Sequence, residues 1–141
     1  ILITRGEDMK VRAFYNVCKH RGNTLAQQKI GKIDKTFKCS YHRWQYDAAG
    51  QLVDTPDPHT FPQGVCDPSL HLTQLPCEEW NGWVMYSLNP EVRPLDEWLG
   101  PVKAHLESYN FDKMDLVMDM TVEWNCNWKA SVDAFNETYH V

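Results

Sequence analysis

Two short mixed pairs, Cys18-Lys-His20 and Cys39-Ser-Tyr-His42, constrain this chain more than anything else in it. Each pair offers one thiolate and one imidazole, and eighteen residues lie between His20 and Cys39. That repeated order is the ligand set of a [2Fe–2S] centre in which two histidines replace two cysteines on one iron. A centre of that kind passes single electrons. The spacing predicts Cys18 and Cys39 on one iron and His20 and His42 on the other.

Two cysteines and two histidines also suit tetrahedral zinc, so zinc is the alternative at this point. Zinc fingers, however, usually keep both thiolates in one half of the motif and both imidazoles, on a helix, in the other. Here each half supplies one of each, from loops between strands, which favours two irons. Exchanging two anionic thiolates for neutral imidazoles makes such a cluster easier to reduce. Its potential rises to about −150 to +300 mV, against about −400 mV for an all-cysteine plant-type centre.

The surrounding pattern is β-rich. Ile1 to Thr4, a turn at Gly6-Glu7-Asp8, and the alternation of Val11, Ala13 and Tyr15 predict a hairpin leading to Cys18. Residues 21–38 predict a loop with two short strands around Gly31, the second ending at Thr36-Phe37-Lys38. Trp44 and Tyr46, a turn at Asp47-Ala48-Ala49-Gly50, and Gln51-Leu52-Val53 predict a second hairpin. A Pro/Asp-rich surface loop follows from Pro56 to Pro68. Strands are expected at Leu70–Thr73 and Trp83–Leu88, with Asn81-Gly82 a tight turn or bulge.

Beyond a linker at 89–94 the pattern is helical from Leu95 to about Tyr109, interrupted at Gly100-Pro101. Met118, Met120, Val122 and Trp124 then alternate as one face of a strand. The expected division is an all-β domain over 1–90 and the start of a second domain over 91–141. Both ends read as internal, since Ile1 opens mid-strand and Val141 falls within a helical pattern.

With 141 residues, 43% of them hydrophobic and 23% charged, the chain can bury a real core. A net charge of −5 points away from nucleic acid and anionic membranes, and no apolar run approaches a bilayer span. Five cysteines, two of them in the ligand pairs, leave Cys66, Cys77 and Cys126 as free, buried or half-buried thiols of a cytoplasmic protein. His59, His71 and His105 lack partners at ligand spacing and receive no role.

The last fifteen residues predict a helix with two stripes. Trp128, Val132, Phe135 and Tyr139 form its apolar face, and Asp133, Asn136, Glu137 and His140 its polar one. Periodicity alone favours a solvated face with no chemistry.

A family resemblance changes that reading. Cys18-Lys-His20-Arg21-Gly22 and Cys39-Ser-Tyr41-His42-Arg43-Trp44-Gln-Tyr46-Asp47 resemble the two cluster loops of Rieske non-haem iron oxygenase α-subunits. Asn127-Trp128-Lys129, followed by Glu137-x-Tyr139-His140, resembles the opening of their catalytic domain. The resemblance implies an α+β chain: an all-β Rieske domain of small antiparallel sheets, then the start of a helix-grip-type catalytic domain. It also implies that His140 is the first ligand of a 2-His-1-carboxylate mononuclear Fe(II) site, which would be completed beyond Val141. Glu137 would bridge that histidine to a cluster histidine, His42, of a neighbouring subunit in a homotrimer or α3β3 assembly. Electrons would come from NAD(P)H through a reductase, with or without a ferredoxin, and O2 would hydroxylate an organic substrate. A stand-alone Rieske electron carrier is the alternative.

Three positions depart from the family pattern. Arg43 stands where many relatives have glycine, and a positive φ there would strain it. Glu137 replaces a common aspartate, and Ala134 a common asparagine.

Overall fold

The computed structural model describes residues 1–65, 67–136 and 139. Among the described residues, eight short strands make three antiparallel sheets. Leu2–Arg5 (β1) pairs with Val11–Phe14 (β2), which pairs in turn with Gln74–Leu75 (β6). Thr36–Lys38 (β3), Gln45–Asp47 (β4) and Leu52–Asp54 (β5) form the second sheet, and Cys77–Trp80 (β7) and Trp83–Tyr86 (β8) the third. The predicted hairpins at β1–β2 and β4–β5 are both present. Asn81 and Gly82 form a two-residue turn at φ 49° and 84°, the positive-φ geometry that matches hairpin twist.

One core joins the first two sheets. Leu2, Phe14, Trp44, Tyr46, Leu52 and Leu72 are buried together with Cys18 and Cys39. The Thr4 hydroxyl donates to the Ala48 carbonyl at 2.8 Å, fastening the first sheet to the β4–β5 turn. That turn needs glycine: Gly50 has φ 80°, and a Cβ there would lie 2.5 Å from the Phe14 ring. Arg5 donates to both carboxylate oxygens of Glu79, tying the third sheet to the first.

Several expectations are corrected. Between residue 21 and Gly31 no strand forms; of the two expected in residues 21–38, only β3 is present. Leu70–Thr73 is not a strand, because Pro68–Leu70 winds into a 3-10 turn before β6. β7 has no counterpart among the predicted strands, because Cys-Glu-Glu-Trp lacks apolar alternation. Residues 114–124 carry no regular structure, although Met118, Met120, Val122 and Trp124 alternate as a strand would. A strand requires a hydrogen-bonded neighbour, and no described segment pairs with this one. Cys126 is exposed rather than half-buried.

Helices follow the β-domain: Leu95–Leu99 (α1), Pro101–Leu106 (α2) and Trp128–Asn136 (α3). Gly100, at φ 50°, and Pro101 break the first pair as expected. Most of the predicted terminal helix is α3; Glu137 and His140 lie outside the described residues. The order, antiparallel β-sheets followed by helical segments, agrees with the predicted fold class. Among the described residues no helix is long and apolar enough to cross a membrane.

Candidate metal centre

The two Cys/His loops are built on one plan. In the first, the Cys18 amide donates to the Asn23 carbonyl at 2.8 Å, and the Gly22 amide donates back to the Cys18 carbonyl at 2.9 Å. In the second, the Cys39 amide donates to the Trp44 carbonyl at 2.8 Å, and the Arg43 amide to the Cys39 carbonyl at 2.9 Å. Each loop therefore closes over six residues. Closure requires a left-handed residue at the fifth position, and Gly22 and Arg43 take it with φ 72° and 59°. The strained conformation expected of Arg43 is present.

This plan sends the thiols inward and the imidazoles outward. Cys18 and Cys39 are 2% and 1% exposed, while His20 is exposed and His42 half-buried. The two imidazole rings lie edge to face, with centroids 4.6 Å apart. Trp44, buried beneath them, stacks on His20 at 4.9 Å and 10°, and Phe61 meets Trp44 edge-on at 5.6 Å. Tyr41 lies against His42 at 3.8 Å. His20, His42, Arg43 and Asp57 line an open groove of about 700 Å³.

Hydrogen-bond donors converge on the thiols. The Tyr46 hydroxyl lies 3.5 Å from Cys18 Sγ and accepts the Lys19 amide at 3.1 Å. Asn23 Nδ2 donates to Cys39 Sγ at 3.7 Å and to the Ser40 hydroxyl at 3.2 Å. Burial pushes the Cys18 thiol up, against the pull of the His20 amide and the Tyr46 hydroxyl. At Cys39 burial is outweighed by the amides of His42 and Tyr41, by Cys18 and by Asn23, so its pKa falls below the ordinary thiol value. Burial, His42 and Arg21 lower His20, keeping its imidazole neutral, the form that ligates metal. Burial first, then Cys18, raises Tyr46 far above the usual phenol range, so it stays a donor.

The donor set suits a two-iron cluster. Among the described residues no three His, Cys, Asp or Glu side chains gather as a set for a single ion. The donors come instead as a buried thiol pair and an outer imidazole pair. Sequence reasoning names all four of these residues, which the fold brings together, and Trp44 beside them. It missed Tyr46, Asn23 and Asn16, whose side chain holds the first loop's exit through the Leu25 and Ala26 amides at 3.1 and 2.9 Å. Tyr46 sits inside the second motif, so its presence there was a usable signal; the two asparagines carried none.

Residues 1–76 match the model of the Rieske [2Fe–2S] domain. The chain belongs to the Rieske family. It is 28% identical over 140 residues to the glycine betaine monooxygenase oxygenase subunit of Pseudomonas aeruginosa strain UCBPP-PA14, covering 99% of this chain and 32% of that protein. It is 32% identical over 147 residues to the large oxygenase component of a naphthalene 1,2-dioxygenase system from Ralstonia sp, covering 100% and 33%. A solved quaternary ammonium Rieske monooxygenase superposes with a TM-score of 0.84 at 28% identity, over 98% of this chain and 38% of that one. This Rieske chain is thus homologous to oxygenase large subunits and spans about a third of the length of the curated relatives it matches. It contains the electron-transfer domain of that family, and a complete mononuclear iron site is not found among the described residues.

Proposed function

We propose that the described part of this chain is a one-electron relay, with Cys18 and Cys39 binding one iron of a [2Fe–2S] cluster and His20 and His42 the other. The observation that carries this reading is the split environment: buried thiols met by hydrogen-bond donors, and paired imidazoles at the surface. Bound there, the cluster would take up and release one electron at a time. The residues supply the rest. Amides of the two loops, Tyr46 and Asn23 stabilise charge on the sulfurs, Trp44 holds the His20 ring and limits water, and the imidazole edges face outward to a partner.

In the complete protein the relay serves an oxygenase, with residues 1–90 the cluster domain and 91–141 the start of the catalytic domain. His140 is the proposed first ligand of a mononuclear iron that activates O2 to hydroxylate an organic substrate. Glu137 links it to His42 of a neighbouring subunit in a homotrimer or α3β3 assembly. A carboxylate accepting a ring N–H from each histidine fixes both rings and raises their basicity. Electrons would reach the relay from NAD(P)H through a reductase, alone or with a ferredoxin, in the cytoplasm. The named relatives act on both quaternary ammonium and aromatic compounds, so both classes are candidate substrates.

The stand-alone carrier is favoured by one observation: among the described residues the Cys/His pairs of the two loops are brought together and no further set of metal-ligating side chains is. Glu137→Gln in the full-length protein separates the two. The oxygenase reading expects the reduced cluster to keep its rhombic EPR signal while its reoxidation by O2 in the presence of substrate collapses. Unchanged turnover would refute the bridge, and a colourless, zinc-loaded protein would refute the relay itself.

A further inference from the structure

Resting on the relay reading above, we propose that an acidic one-electron donor protein docks beside residues 27–35, on the thiol side of the centre and away from the histidines. A groove of about 830 Å³ is lined there by this loop, by β1 and by Ser40. It shares no lining residue with the groove at His20 and His42. Ser40 follows Cys39 directly, and Asn23 Nδ2 bonds both the Ser40 hydroxyl and Cys39 Sγ. One lining residue of the groove is thus linked through a single side chain to a buried thiol.

Its charge is opposite to that of the whole. The chain carries 14 Lys and Arg against 19 Asp and Glu, yet no carboxylate lines this groove, while Arg5, Lys29 and Lys32 do. Glu79 neutralises Arg5, whereas neither lysine has an ion-pair partner among the described residues. Lys35 and Lys38 follow in sequence, so residues 27–38 hold four lysines against Asp34 alone. Between Lys29 and Lys32, Ile30 is 92% exposed at the loop surface. A cationic rim around an apolar contact suits a protein partner of opposite charge, because complementary charge speeds encounter and sets register. Such a site admits electrons at the Cys39 edge and leaves the imidazole face free to deliver them.

The test uses full-length, cluster-loaded protein and a plant-type [2Fe–2S] ferredoxin as the acidic probe. Lys29→Glu/Lys32→Glu should slow cluster reduction by the reduced ferredoxin at least about tenfold at low ionic strength, a loss that salt erases. Binding of oxidised ferredoxin, followed by titration calorimetry, should weaken in parallel. Reduction by photoreduced deazaflavin, which needs no docking, should keep its rate. Equal ferredoxin rates and affinities in wild type and variant overturn the proposal. So does a variant that loses only its binding to phosphatidylserine vesicles, since the lysines would then serve a membrane. Failure of the wild-type protein to show a Rieske spectrum sinks the relay reading instead, which keeps the two failures distinct.

Discussion

Gly22 and Arg43 occupy the same place in the two cluster loops: each lies four residues after a cysteine and donates its amide to that cysteine's carbonyl at 2.9 Å. Both have positive φ, 72° and 59°. Glycine takes that conformation freely, whereas a side chain pays about 1–2 kcal/mol for it. One loop is relaxed and the other carries strain, and the strained loop brings a cation beside His42.

Arg43→Gly is therefore expected to act in two ways. Relief of the left-handed backbone outweighs the extra freedom of glycine in the unfolded chain, raising stability by roughly 0.5–1 kcal/mol in denaturant melts. Removing the positive charge should disfavour the reduced cluster and lower its potential in an EPR-monitored redox titration. A potential equal to that of the wild type would count against the electrostatic role.

Trp44 is the main packing beneath the exposed imidazole. Trp44→Ala removes the stack on His20 and the edge contact with Phe61. A loss of about 3–5 kcal/mol is expected, as for other buried aromatic truncations. Trp44→Phe should keep the visible spectrum of the cluster, while Trp44→Ala should bleach faster in air. Equal bleaching rates for all three proteins would remove Trp44 from any shielding role.

Tyr46→Phe deletes one hydroxyl and leaves the buried ring. Cys18 loses its hydroxyl partner at 3.5 Å and the Lys19 amide loses its acceptor at 3.1 Å. Stability should fall by about 1–2 kcal/mol, the usual penalty for an orphaned buried partner. Fewer hydrogen bonds to sulfur also mean a lower reduction potential. Redox titration beside the wild type checks the sign.

The hairpin that leads to Cys18 should show a specific acid sensitivity. Hydrogen bonds from Arg12 hold the Asp8 carboxyl down at about 2, from an ordinary 3.8. A depressed carboxylate stabilises the folded state above its unfolded pKa and loses that contribution as pH falls. The difference in denaturant midpoint between wild type and Asp8→Asn should therefore be full above about pH 4 and vanish toward pH 2. A pH-independent difference would mean that the Asp8–Arg12 pair adds nothing through its charge.

The cluster loops were legible because their chemistry is local. Cys18 with His20, and Cys39 with His42, lie within three residues of each other, so residue type and spacing alone marked the proposed ligands. Arg43 could be flagged for the same reason, since its backbone demand arises inside one six-residue loop. The hairpins of β1–β2 and β4–β5 were equally plain, each being an alternating pair around a turn. The run from Met118 to Trp124 shows where this ends. Alternation records which faces a strand would present, but a strand also needs a neighbour, and alternation names none.

The sequence by itself thus determined the donor atoms, their division into thiols and imidazoles, and the hairpins that carry them. Only the tertiary structure decided that Tyr46 reaches Cys18 across 28 residues, that Asn23 spans Cys39 and Ser40, and that Trp44 underlies His20. It also decided that Arg5, Lys29, Lys32 and Ser40 line one carboxylate-free groove in an acidic chain. The physical reason is range. Ligand spacing and turn chemistry act over a few residues and leave a mark in the order of the chain, whereas burial and hydrogen bonds between distant segments exist only once packing has brought them together.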